Sequence, residues 1–224
     1  MKINRNKMNI LTAFTLLFTL NSCIGVTEKK DFEQFTKNFN EIILPFSVND
    51  SLAFEDWPSK FLIDSITIKK YDLISKYSHK EYPPKTITDY QCSYFGKYNT
   101  EEFKVLLYRT FTTEAGRGNP EIVLATFSSN GLKQDEMIVL WNDNEDPLYS
   151  RRICLSILNA SNFEIKSVLR KNGFLDKKIV PKSIVEKINH YMIGKDGKII
   201  VGKEIVKDVF KDNNPKIQDD FPQE

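Results

Sequence analysis

The stretch Glu121-Ile-Val-Leu-Ala-Thr-Phe-Ser-Ser-Asn-Gly-Leu-Lys-Gln-Asp-Glu-Met-Ile-Val-Leu-Trp141 decides the fold. Two runs rich in β-branched and apolar residues flank Asn130-Gly131, a pair that suits the positive backbone dihedrals of a tight hairpin turn. The sequence therefore predicts antiparallel strands over Ile122–Ser128 and Leu132–Trp141. Because Met137–Trp141 is apolar at every position, this part of the second strand is predicted to be covered on both faces.

Further turn signals follow this hairpin along the chain. Asp196-Gly197 precedes the apolar run Lys198–Val201, and Asn159–Asn162 separates two other runs. Short connections between sequential strands imply antiparallel neighbours. Phe163–Arg170 largely alternates apolar with polar residues, as expected where one face of a sheet is buried and the other is solvated. From Tyr90 onward the sequence therefore predicts a mostly antiparallel β-meander.

An amphipathic helix is predicted ahead of the strands, over residues 31–44. Phe32, Phe35 and Phe39 recur at helical spacing, and Pro45 stops the run. This Phe stripe could contact a membrane surface, but packing on the core of the domain is the simpler expectation. The predicted fold class is thus α+β, with the N-terminal helix packed on the meander.

Two segments have mixed signals. Pro58 could begin a short helix that runs through Ile63, whereas Ser65–Lys70 alternates like a strand. Ser183–Gly194 suits a helix by its apolar spacing, but the hairpin that follows favours a strand in its second half.

Length and composition bound the organisation of the chain. With 224 residues, 41% hydrophobic content and 12% aromatic content, one folded domain is expected rather than a disordered chain. The net charge of +2 is too small for the basic face that nucleic-acid binding requires. The predicted divisions are a signal segment (1–22), a tether (23–30), a single α+β domain (31–211) and a flexible tail (212–224).

The first two dozen residues have the pattern of an export signal. Lys2, Arg5 and Lys7 precede an apolar run from Ile10 to Leu20. A helix of that length rises only about 16 Å, half of a ~30 Å hydrocarbon core, so a retained transmembrane helix is disfavoured. The next residues, Leu20-Asn21-Ser22-Cys23, resemble the lipobox of bacterial lipoproteins.

This resemblance implies cleavage before Cys23 and attachment of lipid to its sulfur, so that the lipid bilayer becomes a partner of the chain. Several acyl chains together give durable membrane residence. Ile24 stands where, in the best-known sorting rule, Asp would retain a lipoprotein at the inner membrane. The resemblance therefore points to the outer membrane, with the domain facing the periplasm or the cell surface. The chain as a whole resembles small uncharacterised lipoproteins of the bacteroidete group, a likeness that implies no activity.

Cys92 and Cys154 remain once Cys23 is assigned to lipid. Two thiols in an oxidising compartment tend to pair. This disulfide would close a loop of about sixty residues and would stabilise the folded state by on the order of 4 kcal/mol. The alternative is that the two thiols act as small apolar side chains in separate strands.

The sequence contains no motif for a metal, a cofactor or a catalytic nucleophile. His79 and His190 lack the spacings of zinc ligands. Asn142–Asp146 offers oxygen side chains but lacks the glycine and the distal glutamate of a calcium loop. There is no Gly-x-Ser-x-Gly pentapeptide, and Gly116-Arg-Gly118 lacks the Lys and the following helix of a phosphate loop. We therefore predict no cofactor and no metal, and no residue is singled out as catalytic.

Two tripeptides are similar to the O-glycosylation signal of exported bacteroidete proteins. They are Asp50-Ser51-Leu52 and Asp64-Ser65-Ile66, with Ser51 and Ser65 as the candidate acceptors. The aromatic residues that could stack on a sugar are Trp57, Tyr82 and Trp141.

These features favour a lipid-anchored, non-enzymatic binding or assembly module of the cell envelope, acting on an unknown protein or envelope ligand. Such a module predicts an exposed apolar patch or an open sheet edge. An envelope hydrolase would instead bring two carboxylates, or His190 and a carboxylate, together in a pocket. An immunity or inhibitor lipoprotein would present a strongly charged patch suited to rapid capture of its target.

Overall fold

The computed structural model describes residues 28–55, 62–74, 90–112, 120–141, 148–175 and 178–213. Over these ranges the chain is mostly β, with antiparallel sheets. The helices are α1 (28–36), α2 (Asp50–Ala53) and α3 (Ser65–Lys70). The strands are β1 (Asn40–Glu41), β2 (Phe46–Asn49), β3 (Leu62–Ile63), β4 (Tyr90–Asn99), β5 (Lys104–Thr112), β6 (Glu121–Phe127), β7 (Lys133–Trp141), β8 (Tyr149–Ile157), β9 (Asn162–Leu175), β10 (Lys178–Ile193) and β11 (Ile199–Lys211).

The strands form two sheets rather than the single meander that the turns predict. Sheet A has the order β1-β4-β5-β6-β7, with β3 also paired to β4, and sheet B has the order β11-β10-β9-β8-β2. Sequential strands from β4 to β7 and from β8 to β11 are antiparallel neighbours, as predicted. The chain passes from sheet A to sheet B between β7 and β8. Turn residues in the sequence indicate which strands are adjacent, but they do not indicate where the chain passes to a second sheet.

The side chains of sheet A alternate between two cores. On β6, Leu124 belongs to the core that faces sheet B, and its neighbour Val123 belongs to the core that faces the helices. On β7, Met137 and Ile138 likewise contact opposite cores, which confirms that this apolar run is covered on both faces. Helices α1 and α3, sheet A and sheet B therefore form three layers.

The predicted Phe stripe packs on the core of the domain, as expected, with Phe32 and Phe35 on α1 and Phe39 just after it. Phe32, Phe35 and Phe39 are all buried against sheet A, and the Phe35 ring stacks on Tyr71 with centroids 4.5 Å apart. Aromatic pairs of this kind contribute roughly 0.5–1.5 kcal/mol beyond their buried area.

Helix α1 ends earlier than predicted and includes residues assigned to the tether. Residues 28–36 are helical, whereas the sequence predicts a helix over 31–44 after a tether over 23–30. Residues 40–41 instead pair in parallel with Gly96 and Lys97, and the Ile42 N–H donates to the Lys97 carbonyl at 2.8 Å. Sheet A thus satisfies backbone groups that the predicted helix would have paired internally.

The turn predictions are confirmed at both Asn-Gly and Asp-Gly. Gly131 has φ of 88° and Gly197 has φ of 77°, the left-handed region that glycine reaches without steric cost. Gly131 also lies against the Phe32 ring, where a Cβ would stand 2.8 Å from Cγ. In the third turn, the Asn159 side-chain oxygen accepts from the backbone N–H groups of Ser161 and Asn162.

The strand prediction for Ser65–Lys70 is wrong, because this segment is helix α3. Asp64 caps the helix: its Oδ1 accepts from the Ile66 and Thr67 N–H groups at 3.0 and 2.9 Å. Its Oδ2 accepts from the Thr67 hydroxyl at 2.7 Å, and these bonds lower the pKa of Asp64. Ile68 is the one buried side chain of α3, so the other apolar residue of the alternating pattern, Ile66, is not held in a core. The N-cap at Asp64 therefore decides the structure of this segment.

The three C-terminal strands are longer than predicted. Strand β10 includes the ambiguous segment Ser183–Gly194 as far as Ile193. Strand β11 continues ten residues beyond Val201, to Lys211, and the Asp212 N–H still donates to the Lys182 carbonyl at 2.8 Å. The domain thus extends to the first residue of the predicted tail, and residues 214–224 lie outside the described ranges.

Candidate functional site

Several candidate residues from the sequence lie outside the described ranges. Cys23 and the signal segment 1–22 are among them, so lipidation stays a prediction. The others are His79, Trp57, Tyr82, Gly116-Arg-Gly118 and Asn142–Asp146.

Of the two alternatives for Cys92 and Cys154, the structure has the unpaired thiols in separate strands. Both thiols are free. Cys92 lies on β4 in the core that faces the helices, and burial raises the pKa of its thiol. Cys154 lies on β8 between Ile153 and Leu155, which point into the core between the sheets, so its side chain faces the opposite side of sheet B. Sheets stack about 10 Å apart, whereas a disulfide needs Cα atoms within about 7 Å, so the layering separates the two thiols.

Both candidate O-glycosylation serines are exposed in the first turn of a short helix. Ser51 is in α2 and Ser65 begins α3. The preceding acids have structural roles: Asp64 caps α3, and the buried Asp50 Oδ2 accepts from the Ile153 N–H at 3.1 Å. These contacts account for the aspartates without a sugar, and glycosylation stays a prediction.

His190 meets a carboxylate, but on an open sheet face. Its Nδ1 lies 2.8 Å from Glu164 Oε1, and the two residues are directly opposite each other on β10 and β9. Both side chains are partly exposed, and neither lines the two cavities considered below. No cluster of three metal-ligating side chains exists within the described part of the chain. The His190–Glu164 pair therefore lies apart from both of these cavities.

Five of the fourteen exposed large apolar side chains of the described residues lie on β11. This strand has 13 residues, and among the described strands it pairs only with β10, so its other side is a backbone edge with no partner in the described ranges, here named the β11 edge. Unpaired N–H and C=O groups along such an edge can pair with a further strand. The large apolar side chains of β11 that are at least 41% exposed are Ile200, Val201, Val206, Val209 and Phe210.

The sequence pattern did not reveal the β11 edge, because the last predicted strand ends at Val201. One signal in the sequence could have extended the predicted strand. Ile205, Val206, Val209 and Phe210 recur among the charged residues of this segment. Two register shifts in the β10–β11 ladder interrupt strict alternation there. At one of them Gly202 approaches the His190 carbonyl, which a Cβ would meet at 3.0 Å.

Sheet B carries an excess of positive charge. Residues 148–213 contain fourteen Lys and Arg against seven Asp and Glu, whereas the remaining residues from 23 onward contain fifteen against twenty-three. On β11 itself, Lys203, Lys207 and Lys211 alternate with Glu204 and Asp208. A partner of net negative charge is electrostatically complementary to this half of the molecule.

Two cavities lie at the margins of the sheets. The first, about 300 Å³, is at the turn end of the sandwich and is lined mainly by Thr100–Phe103 and Ile193–Lys195. The second, about 360 Å³, is here named the β7 cleft, because it opens between β7 and the start of β11. The lining residues of the β7 cleft are Asp135, Glu136, Met137, Ile138, Tyr191, Ile199 and Val201.

Within the described ranges, no helix combines the length and the apolar content needed to cross a membrane. Comparison of the chain with protein-family models, with curated proteins and with solved structures finds no match.

Proposed function

We propose that this chain is a lipoprotein anchored through Cys23 at the outer membrane, and that it binds an extended, net-acidic polypeptide segment by strand addition at the β11 edge. The function is non-enzymatic. The observation that carries the proposal is β11 itself, a 13-residue strand that the described residues pair on one side and that is rich in exposed apolar side chains.

Strand addition fits the chemistry of this surface. Backbone hydrogen bonds to a free edge supply affinity, and alternate side chains supply specificity. The exposed apolar side chains of β11 offer area for burial, at roughly 25 cal/mol per Å². The positive excess of residues 148–213 selects acidic segments and accelerates their capture.

Photo-crosslinking in intact cells tests the site. A benzophenone amino acid at Val206, on the β11 edge, is compared with the same probe at Ile66, an exposed apolar residue of α3. We expect Val206 to give a discrete adduct whose partner peptide is acidic and extended, and Ile66 to give none. Equal labelling from both positions, or an adduct at Ile66 alone, would contradict the proposed site.

Charge reversal separates the electrostatic part of the proposal. The triple change of Lys203, Lys207 and Lys211 to Glu should abolish the Val206 adduct, because it reverses the charge beside the bound segment. The matched control reverses Lys29, Lys30 and Lys37, which lie in and beside α1. An adduct that survives the first triple change would exclude an acidic partner.

Mass spectrometry of the N-terminal peptide tests the anchor. We expect acylated Cys23 as the first residue, and release of a Cys23→Ser variant from the membrane fraction. An unprocessed chain that retains Met1 and a free thiol at Cys23 would exclude lipidation.

An inhibitor of an envelope toxin is a second candidate, because it predicts the same charged patch. Here the target would be a folded acidic protein, captured at a rate that falls steeply with ionic strength. The crosslinked partner decides between the two, since an inhibitor would give adducts to a folded surface rather than to one extended segment.

A further inference from the structure

The β7 cleft lies beside the start of the β11 edge, on the side of sheet B that faces sheet A. Tyr191 of β10 stacks on Phe163 of the core between the sheets, with ring centroids 5.1 Å apart. Val201 is directly opposite Tyr191 in the β10–β11 ladder, so its side chain is on the same face. Val201 is nonetheless 71% exposed, which places it at the rim of the cleft.

The two carboxylates that line the cleft already bind groups of the protein. Asp135 Oδ2 accepts from the Ile199 N–H at 2.9 Å, and Glu136 Oε2 accepts from Lys133 Nζ at 2.7 Å. The other lining residues are Met137, Ile138, Tyr191, Ile199 and Val201, and of these the Ile138 side chain packs in the core that faces the helices. The lining therefore suits an apolar occupant.

A strand added at the β11 edge would extend sheet B past Val201. Directly opposed residues of antiparallel strands point to the same face, with Cβ atoms about 4.5–5.5 Å apart. The residue opposite Val201 would thus direct its side chain toward the cleft. The volume of about 360 Å³ exceeds that of one aromatic side chain and lies at the small end of the range for ligand sites.

We propose that the β7 cleft is a specificity pocket, which takes one large apolar side chain of the acidic segment bound at the β11 edge, from the residue opposite Val201. This inference rests on the proposed strand addition. It identifies the bound segment as one with a large apolar residue at a fixed position, flanked by acidic residues.

The test uses short fluorescent peptides that alternate Val with Glu, in which a single Phe replaces each Val in turn. Affinity for the folded domain is measured by fluorescence anisotropy. We expect the peptide with Phe at one position to bind about tenfold more tightly than the other peptides. Burial of most of one aromatic side chain provides a gain in affinity of this size. The methyl resonance of Met137 should shift with that peptide, whereas that of Met192, on the opposite face of sheet B, should not.

A protein variant gives an independent measurement. Met137→Ala should remove most of the preference for the favoured Phe position, and the matched control Met192→Ala should leave the preference unchanged. The Met137 resonance of the unmodified protein keeps the test valid if Met137→Ala does not fold.

The outcomes separate this inference from the proposed function. If no peptide binds, or if methylation of alternate peptide nitrogens has no effect on binding, strand addition fails and the pocket fails with it. If all Phe positions bind equally and the Met137 resonance does not move, strand addition stands and the specificity pocket is overturned.

Discussion

Among the described strands, β7 and β11 each have one partner and lie at a sheet edge, yet their surroundings differ. The β10–β11 turn makes hydrogen bonds to β7 and to its neighbour β6. Lys198 Nζ donates to the Gln134 carbonyl at 2.7 Å, and the Thr126 hydroxyl donates to the Gly197 carbonyl at 2.6 Å. The edge of β11 has no such cover among the described residues and carries exposed apolar side chains along its length.

β7 also carries a charge that points inward. Glu136 is 1% exposed and pairs with Lys133, which is 12% exposed and also contacts Asp72 beyond α3. Inward-pointing charges, covering turns and bulges are the devices by which proteins prevent edge-to-edge association. At β7 the chain combines an inward-pointing charge with contacts from a turn, whereas β11 has two register shifts in its ladder and exposed charged side chains. The contrast therefore lies in burial and in contacts from other elements.

Hydrogen exchange should show the largest difference between β7 and β11. Amides of β7 that bond to β6 should exchange only through global unfolding, because side chains of this strand pack into both cores. Amides of β11 that bond to β10 should exchange at least about a hundredfold faster, through local opening of the exposed hairpin. Equal protection in both strands, measured by mass spectrometry or NMR, would remove the contrast.

Lysine substitutions compare the two edges directly. Lys133→Met leaves Glu136 as a buried charge without this partner and should lower the free energy of unfolding by about 3 kcal/mol. Lys207→Met removes an exposed charge of β11 and should change the free energy of unfolding by less than about 0.5 kcal/mol. Urea denaturation measures both values, and similar values would contradict the burial difference.

Truncation of apolar side chains sharpens the same comparison. Leu140→Ala on β7 leaves a cavity in the core between the sheets and should cost about 2–4 kcal/mol. Val206→Ala on β11 removes an exposed side chain and should cost less than about 0.5 kcal/mol. A large loss of stability with Val206→Ala would mean that β11 is covered in solution.

The smallest expected effect concerns α3, the helix that precedes Asp72. Asp64→Ala removes the N-cap and should cost about 1 kcal/mol at neutral pH. The pKa of Asp64 is lowered in the folded state, so its contribution is present above about pH 4 and is lost as the pH falls through the folded pKa.

Asp64→Asn serves as the control for that titration, because it keeps an acceptor for the helix N–H groups but has no proton to gain. Its stability relative to Asp64→Ala should not change between pH 6 and pH 3, measured as urea midpoints. A pH-dependent difference between these two variants would assign the titration to another group.

Sequence reasoning succeeds where one local signal decides the structure. Gly131 and Gly197 identify their turns because only glycine adopts these positive dihedrals readily, and the Phe stripe identifies α1 by its period. It fails for Ser65–Lys70, where a single cap residue outside the pattern determines the helix. It also fails for the sheet crossing after β7, which depends on packing between distant strands and has no local marker.

The candidate site is less predictable than the fold for a physical reason. Turn residues identify which strands are neighbours, but an edge is free only if no other element covers it, and this is a property of the whole arrangement. The two thiols illustrate the same limit, since their number suggests a pair while the layers keep Cys92 and Cys154 apart.

The layer order has a consequence for orientation. Helix α1 is the first described element after Cys23, and sheet A separates it from sheet B. With about 10 Å between stacked layers, sheet B stands roughly 20 Å from the plane of α1. A chain tethered by its N-terminus would therefore carry its helices toward the leaflet and hold β11 out in the aqueous space, within reach of polypeptides that never touch the bilayer.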